Sequence, residues 1–365
     1  MHPTGRMTLA LLSALLLLSV GGCGKDEVSH YQADQYPRKL SDWGLIKQQG
    51  NSLSVHPDTV VYALNTALFS DYAQKLRTVY IPQGQAATYH PVDTFDFPTG
   101  SIITKTFFYP VNADQIVLND ASWSGDPRDI DTRDHRLVET RLLVKQLDGW
   151  DALPYVWSGD DAYLTLTGDL QQFALGAGET LNYLVPSKNQ CASCHATNHT
   201  DGKLLPIGPK ARHLNRPHPV SGLNQLERWQ HNGQLQQAVL PFPANAALDD
   251  ADAGLAHRAR SYLDINCGHC HNPNGAADTS GLLLDYADYP SDKMGFCKPP
   301  IAAGSGSGGR LYSIVPGHAD QSILSFRLGT TKPAAMMPEL GRALTHAEGV
   351  KLINEWIDSL SGECI

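Results

Sequence analysis

The sequence has few methionines, no run of basic residues and no apolar stretch long enough to cross a membrane comfortably. Because basic runs and alternating basic and aromatic residues are missing, and the net charge is −9, nothing indicates nucleic-acid binding. The N-terminal apolar run, Leu9–Val20, is shorter than the roughly 20 residues that a bilayer requires. The 365 residues, 42% hydrophobic and 18% charged, suit a folded protein of two or three domains.

Cysteine is absent between Cys23 and Cys191, so residues 37–186 offer no thiol for attaching a cofactor. The seven cysteines are Cys23, four in two short motifs, and a pair towards the C-terminus. We predict a disulfide between that pair, Cys297 and Cys364, because every cysteine then has a role in an oxidising compartment. The alternative is two unrelated buried thiols.

Two copies of Cys-x-x-Cys-His carry the chemistry of the chain. Two thiols at this spacing can add to the two vinyl groups along one edge of a porphyrin, and the adjoining imidazole can then ligate the iron. The sequence therefore predicts two covalently bound haem c groups. The copies supply the thioether cysteines Cys191, Cys194, Cys267 and Cys270 and the proximal ligands His195 and His271.

The N-terminus has the features of an export signal. Arg6 precedes the apolar run, and the small residues Ser19–Gly22 stand directly before Cys23, as in a bacterial lipobox. We predict a lipoprotein-type signal peptide at 1–22, lipidation of Cys23 and a polar tether at 23–36. The protein would then be periplasmic, anchored to the outer membrane by lipid only. The alternative is an ordinary cleaved signal peptide.

Residues 37–186 show the period-two alternation of β-strands. Thr104–Pro110, Arg136–Lys145 and Ala162–Gly168 are predicted strands bounded by Gly, Pro and Asp, which favours a mainly-β sandwich or jelly roll. Asn65–Lys75 is the one helix-like stretch.

Two features of this domain have an unremarkable interpretation. The acidic loop Asp126–Asp134 lacks the glycine and terminal glutamate of an EF-hand and contains two arginines, so we predict a solvated loop rather than a calcium site. The aromatic residues Trp150, Tyr155 and Trp157 are predicted to be core.

Two mainly-α cytochrome c-type segments are predicted to follow, a first haem segment at 187–253 and a second domain at 254–365. A helix is expected at Gly222–Gly233, another entering the second motif from Ser261, and a closing helix that begins with Thr345 as its N-cap and contains Glu348.

The second haem has a candidate distal ligand in Met336–Met337–Pro338. We predict Met337, which directly precedes the proline, because a thioether ligand suits an electron-transfer haem and methionine is rare in this chain. Apolar filling by both methionines is the alternative.

The first haem has no methionine within its own segment. The nearby imidazoles are His199, His213, His218 and His231. Aligning the sequences of the two helices on Trp229 and Trp356 puts the position equivalent to Met337 near Lys210, and His213 is the histidine closest to it in sequence. A five-coordinate iron is the alternative.

Residues 254–365 resemble a class I cytochrome c domain, with a helix, Cys-x-x-Cys-His, a Met-Pro loop and a closing helix. Further segments resemble a family of bacterial periplasmic dihaem c-type cytochromes of unassigned function. The resemblance implies a β-rich domain before two haems, haem binding and electron transfer, but no substrate. These segments are Leu64–Tyr72, Phe97–Gly100, Glu139–Val144, Ile207–Arg212 and Val315–Gly317.

The sequence thus predicts an electron carrier that exchanges single electrons with redox partner proteins and is not itself an enzyme. A dihaem peroxidase or oxidase with an open first haem is the main alternative, because the first segment lacks a methionine ligand. Zinc binding by the cysteine pairs is a third hypothesis, and an oxidising compartment disfavours it.

Overall fold

The computed structural model describes residues 27–120, 122–196 and 202–365. The predicted signal peptide, Cys23 and the first part of the tether lie outside these ranges. Within them, no helix combines the length and the apolar character that crossing a bilayer would need.

The strands lie mainly in the N-terminal half of the chain. They are β1 (Ile46–Gln49), β2 (Ser52–Val55), β3 (Thr59–Val61), β4 (Gln74–Tyr80), β5 (Ala87–Thr88), β6 (Ile102–Pro110), β7 (His135–Gln146), β8 (Gly149–Ser158), β9 (Asp161–Leu164), β10 (Asp169–Ala174), β11 (Thr180–Val185) and β12 (Leu235–Gln236).

The α-helices lie in the C-terminal half and are short. They are α1 (Lys188–His195), α2 (Ala211–Leu214), α3 (Gln225–His231), α4 (Leu255–Asn266), α5 (Ile323–Gly329) and α6 (Ala347–Asp358). Single 3-10 turns occur at Leu40–Trp43, Pro127–Asp129, Gly176–Gly178, Asp278–Ser280, Gly304–Ser307 and Ala319–Gln321.

A six-stranded antiparallel sheet, in the order β3-β4-β6-β7-β8-β9, forms the centre of the N-terminal domain. Its strands are rich in β-branched and aromatic residues, and the paired hydroxyls of Thr78 and Thr104 lie 2.7 Å apart across two of them. The predicted β-rich character of this region is confirmed. Within the ranges that the structure describes, the remaining strands pair two by two and do not form the second full sheet of a sandwich or jelly roll.

One face of the sheet is covered by the N-terminal segment. Leu40, Trp43 and the β1–β2 hairpin pack on Leu76, Leu142 and their neighbours in a fully apolar core. The Trp43 indole donates a hydrogen bond to the Tyr155 hydroxyl at 2.8 Å, so the polar atoms of these two rings are satisfied within the core. The predicted core positions of Trp150, Tyr155 and Trp157 are confirmed.

The opposite face of the sheet turns towards the C-terminal half. Towards one end of this face, sheet residues such as Val79 and Ile103 share a core with Leu226 and Trp229 of α3, and β12 pairs in parallel with β5. Towards the other end, the β10–β11 hairpin packs on Phe107 and Tyr109. Residues 187–253 therefore have no core separate from that of the sheet.

Residues from about 255 onwards have a core of their own, built where α4 crosses α6. The crossing is close: a Cβ added at Gly349 would lie 2.4 Å from the Tyr262 ring, so only glycine fits there. Much of the chain between α4 and α6 is irregular loop, and mainly-α segments are not observed.

Three local predictions can now be compared with the structure. Asn65–Lys75 was predicted as a helix, and this is wrong: it is a loop with left-handed residues at Asp71 and Tyr72 that leads into β4. The loop conformation follows from tertiary contacts, because the Asp71 carboxylate accepts hydrogen bonds from the backbone of Ala343 and Leu344 at 2.7–2.9 Å. The closing helix is confirmed, but its N-cap is His346, not Thr345.

The acidic loop is solvated and neutralised locally. Arg128 pairs with Asp126, and Arg133 pairs with Asp131, each two residues along the chain. The arginine side chains remain largely exposed, as predicted for a surface loop.

The Cys297–Cys364 disulfide is present, with the two Cα atoms 5.1 Å apart. It joins the irregular region after the second motif to the C-terminus and so closes a long loop of the second domain.

We predict that the variant C297S/C364S loses about 2–4 kcal/mol of unfolding free energy, because the 67-residue loop is no longer closed in the unfolded state. Urea denaturation with and without a thiol reductant measures this. Wild type should fall to the stability of the variant under reducing conditions, while the variant should not respond. Equal stabilities without reductant would contradict the prediction.

Candidate cofactor site

Each Cys-x-x-Cys-His motif lies at the end of a helix. The first occupies α1 itself, which begins with a capping box between Ser187 and Gln190. Cys191 and Cys194 are three residues apart on this helix, so their thiols lie on one side.

The second motif directly follows α4 and continues as a tight turn. The backbone N–H of His271 bonds to the carbonyl of Cys267 at 2.9 Å. Both motifs thus place two thiols and one imidazole within a single turn of chain.

The two motif imidazoles are held in the same way. Nδ1 of His195 donates to the carbonyl of Leu205 at 2.9 Å, and Nδ1 of His271 donates to the carbonyl of Leu282 at 3.2 Å. A hydrogen bond from Nδ1 to a carbonyl selects the tautomer whose Nε2 carries the lone pair. Burial lowers the pKa of each imidazole to about 4, so both are neutral at pH 7.

The four motif thiols are free, whereas Cys297 and Cys364 are paired. The motifs also meet: Cys270 Sγ lies 3.7 Å from the carbonyl of Ser193. A hydrogen bond between the Cys194 and Cys270 thiols lowers the pKa of Cys194 and raises that of Cys270. Two motifs 76 positions apart in sequence are therefore neighbours in space.

A cavity of about 120 Å³ opens beside the first motif. Its walls come from three parts of the chain: the sheet, the first motif and the second domain. Cys191, Cys194 and His195 line it together with Met337. Met336 and His271 are not among its lining residues.

A second cavity of about 410 Å³ lies beside the first, and Ile207 and His269 border both. Gly268, which lies between the second motif's cysteines, and Asn272, which directly follows its histidine, also line this second cavity. His269 is buried, and within the described residues its Nδ1 has no hydrogen-bond partner.

The structure does not bring His213 to either cavity. It lies on α2, is 2% exposed, and its Nε2 is 2.7 Å from Asp264 Oδ2. Burial alone would raise the pKa of Asp264, but the hydrogen bonds from His213 and Asn245 hold it below its usual range. As placed, His213 joins the first segment to α4, the helix that leads into the second motif.

The other imidazoles considered for the first haem are also elsewhere. His218 Nε2 lies 3.2 Å from the carbonyl of Val61, and its Nδ1 accepts from two backbone amides. His231 is exposed at the end of α3. His199 lies outside the described residues.

Sequence reasoning missed two groups near the first cavity. One is His346, which lines it and stacks on Phe69 with 4.3 Å between ring centroids. The other is a set of cations on the inward face of the sheet, of which Lys105 and Arg141 line the cavity. The available signal was the presence of charged residues at inward positions of otherwise apolar strands.

The residues present fit haem c in chemistry and orientation. Paired free thiols and a neutral imidazole with Nε2 as acceptor are the required donors, and both motifs have them. The first cavity is smaller than the about 300–1,000 Å³ of ordinary cofactor pockets, so its walls must move apart to admit a porphyrin.

No protein-family model matches this chain, and no curated protein or solved structure is significantly similar to it. Within the described ranges, no group of three or more His, Cys, Asp or Glu side chains is arranged to hold a metal ion directly.

We predict that His346 makes the protein less stable in acid. Burial lowers the pKa of His346 to about 4, although the negative charge of Glu348 acts to raise it. The folded state therefore disfavours the imidazolium. Its contribution to stability is complete above about pH 6.5 and is lost as the pH falls towards 4, by about 1.4 kcal/mol per pH unit.

The variant H346F keeps the stacking on Phe69 and removes the titrating group. Its unfolding free energy, measured in urea at several values between pH 6.5 and 4.5, should decline less steeply than that of wild type. Parallel declines in the two proteins would show that His346 is not responsible.

Proposed function

We propose that this chain is a periplasmic dihaem c-type cytochrome that carries single electrons between redox partner proteins. The observation that carries the proposal is that both Cys-x-x-Cys-His motifs present their thiols and imidazole in the same chemical state. In each, the thiols are free and the imidazole has its Nδ1 bonded to a backbone carbonyl. A single motif of this kind has several explanations. Two motifs with the same hydrogen-bonded imidazole and free thiols, in contact with each other, favour haem attachment.

The protein's own groups would hold the cofactors as follows. Cys191 and Cys194 would form the thioether bonds of the first haem, with His195 as the proximal ligand. Cys267, Cys270 and His271 would do the same for the second. Met337 is the distal ligand that the sequence favours for the second haem. In the structure it lines the first motif's cavity, which His271 does not line, so the M337L variant described below tests which haem it serves. When bound, haem c supplies a one-electron iron couple.

The contact between the motifs supports electron exchange within the molecule. Cys194 and Cys270 are hydrogen-bonding neighbours, so the two attachment edges would lie side by side. Residues of the sheet and of the second domain line the cavity beside this contact.

The finer assignment of the C-terminal half also belongs to this proposal. We assign residues 254–365 to a domain of the class I cytochrome c type, supported by the close crossing of α4 and α6 at Tyr262 and Gly349. Export, lipidation at Cys23 and anchoring in the outer membrane complete the proposal and rest on the sequence.

A dihaem peroxidase or oxidase is the second candidate, and one observation favours it. The Nε2 of His213 is bonded to Asp264, which leaves the first iron without that imidazole as a sixth ligand. An open iron could bind peroxide or oxygen, whereas an electron carrier needs no such position. Peroxide turnover by the purified protein, with a high-spin ferric signal from one haem, would favour the enzyme.

We predict two covalent haems per chain when the protein is produced in a bacterium with c-type maturation. C191S/C194S and C267S/C270S should each retain one haem, because each removes one pair of thioether bonds. Pyridine haemochrome absorbance per mole of purified chain measures the number.

The matched control is C297S/C364S, which removes two cysteines outside the motifs and should keep both haems. A colourless wild type would refute the proposed function. Loss of haem from C297S/C364S, with both haems kept in the two motif variants, would refute it as well.

We predict that M337L removes the thioether-to-iron absorption band and lowers the potential of one haem, because a methionine ligand raises the potential relative to its substitutes. M336L is the control of equal chemistry at the adjacent position. Optical redox titration of both variants tests the assignment, and loss of the band in M336L alone would place the ligand at the other methionine.

A further inference from the structure

A row of three cations crosses the inward face of the sheet. The register of β4, β6 and β7 puts Arg77 directly opposite Lys105, and Lys105 directly opposite Arg141. Like charges in directly opposed positions destabilise a sheet, so such a row requires compensation.

Little compensation comes from the protein. Lys75, two residues before Arg77 on β4, adds a fourth cation to this face. It lies opposite Phe107 of β6, and Phe107 in turn lies opposite Glu139 of β7, which is the carboxylate of this face. Glu139 is already bonded to Arg141 and to the hydroxyl of Tyr183. Within the described residues, no carboxylate lies within ion-pair distance of Arg77 or Lys105.

Arg77 is withdrawn from water, whereas Lys105 and Arg141 are half-buried where they border the cavity. Arg77 is 8% exposed, and its Nη2 is buried without a hydrogen-bond partner among the described atoms. The Nζ of Lys105 and the guanidinium of Arg141 lie 4.8 and 4.5 Å from the centre of the Phe107 ring. Burial lowers the pKa of Lys105 well below its usual range.

The row ends at the candidate cofactor site. Lys105 and Arg141 line the same cavity as Cys191, Cys194 and His195, and Arg77 stands behind Lys105 on the neighbouring strand. The excess positive charge is thus directed to the place where the first haem would sit.

We propose that Lys105 and Arg141, backed by Arg77, form the subsite for the carboxylate groups of the porphyrin attached at Cys191 and Cys194. This rests on the proposed function and assigns a role to the N-terminal domain. A porphyrin dicarboxylate brings two negative charges to a half-buried surface with excess positive charge, so each compensates the other.

The subsite also has an electrical consequence. A buried cation near the iron favours the reduced state, which carries one positive charge less. Removing one such charge at about 10 Å, with an effective dielectric constant of about 20, changes the reduction equilibrium about tenfold. For a one-electron couple this is about 59 mV.

The first experiment is a redox titration of holoprotein variants. K105M should keep two covalent haems and lower the potential of one of them by about 59 mV, a tenfold change. K105R, which retains the charge, should stay close to wild type. K351M removes an exposed lysine whose side chain is 77% accessible and should change nothing.

The second experiment is a double-mutant cycle on stability. In the C191S/C194S background, which lacks the first haem, K105M should raise the urea midpoint, because it removes a half-buried amine that has no carboxylate partner. In the wild-type background it should lower the midpoint, because the carboxylates lose their partner. Opposite signs in the two backgrounds are the signature of the subsite.

Three results would overturn the proposal. They are an unchanged potential in K105M, stability changes of the same sign in both backgrounds, or stabilisation by inorganic phosphate that is equal with and without the first haem. The last would assign the cations to a separate anion. A wild type without covalent haem fails at the earlier haem count, so failure of the proposed function is seen separately.

Discussion

The hydrogen bond from each motif imidazole to a backbone carbonyl is the constraint on which the site depends. It fixes the ring, selects the tautomer and leaves Nε2 as an acceptor for His195 and His271 alike. The carbonyls belong to Leu205 and Leu282, about ten residues after each histidine, so each motif needs its following loop to return to it. The loops after the motifs are therefore as important to the donor geometry as the motifs themselves.

The sheet contributes more than support to this arrangement. One of its faces is covered by the N-terminal segment, and the other supplies Lys105 and Arg141 to the cavity beside the first motif. Because residues 187–253 share their core with that second face, the first site exists only when both parts are folded together. The Asp71 carboxylate, bonded to the backbone of Ala343 and Leu344, similarly joins the sheet's loop to the chain just after Met337.

The sequence predicts what depends on local spacing. The thiol and imidazole motifs, the strands at Ile102–Pro110 and His135–Gln146, the helix before the second motif and the disulfide all follow from short-range patterns or cysteine chemistry. Tertiary contacts decided the rest. Asn65–Lys75 has a helical pattern, yet Asp71 is held by a backbone 272 residues away. His213 was favoured by sequence position, but a buried carboxylate on α4 takes its Nε2. The row formed by Arg77, Lys105 and Arg141 could not be predicted, because their proximity depends on the register of three strands that are far apart in sequence.

The small cavity between the motifs has a consequence for the order of assembly. The cavity has walls from the sheet, the first motif and the second domain, and at about 120 Å³ it is smaller than an ordinary cofactor pocket. If haem is attached to this chain as proposed, attachment would be easiest before these parts dock against one another. Slow docking of the C-terminal half would then favour a loaded molecule over an empty one.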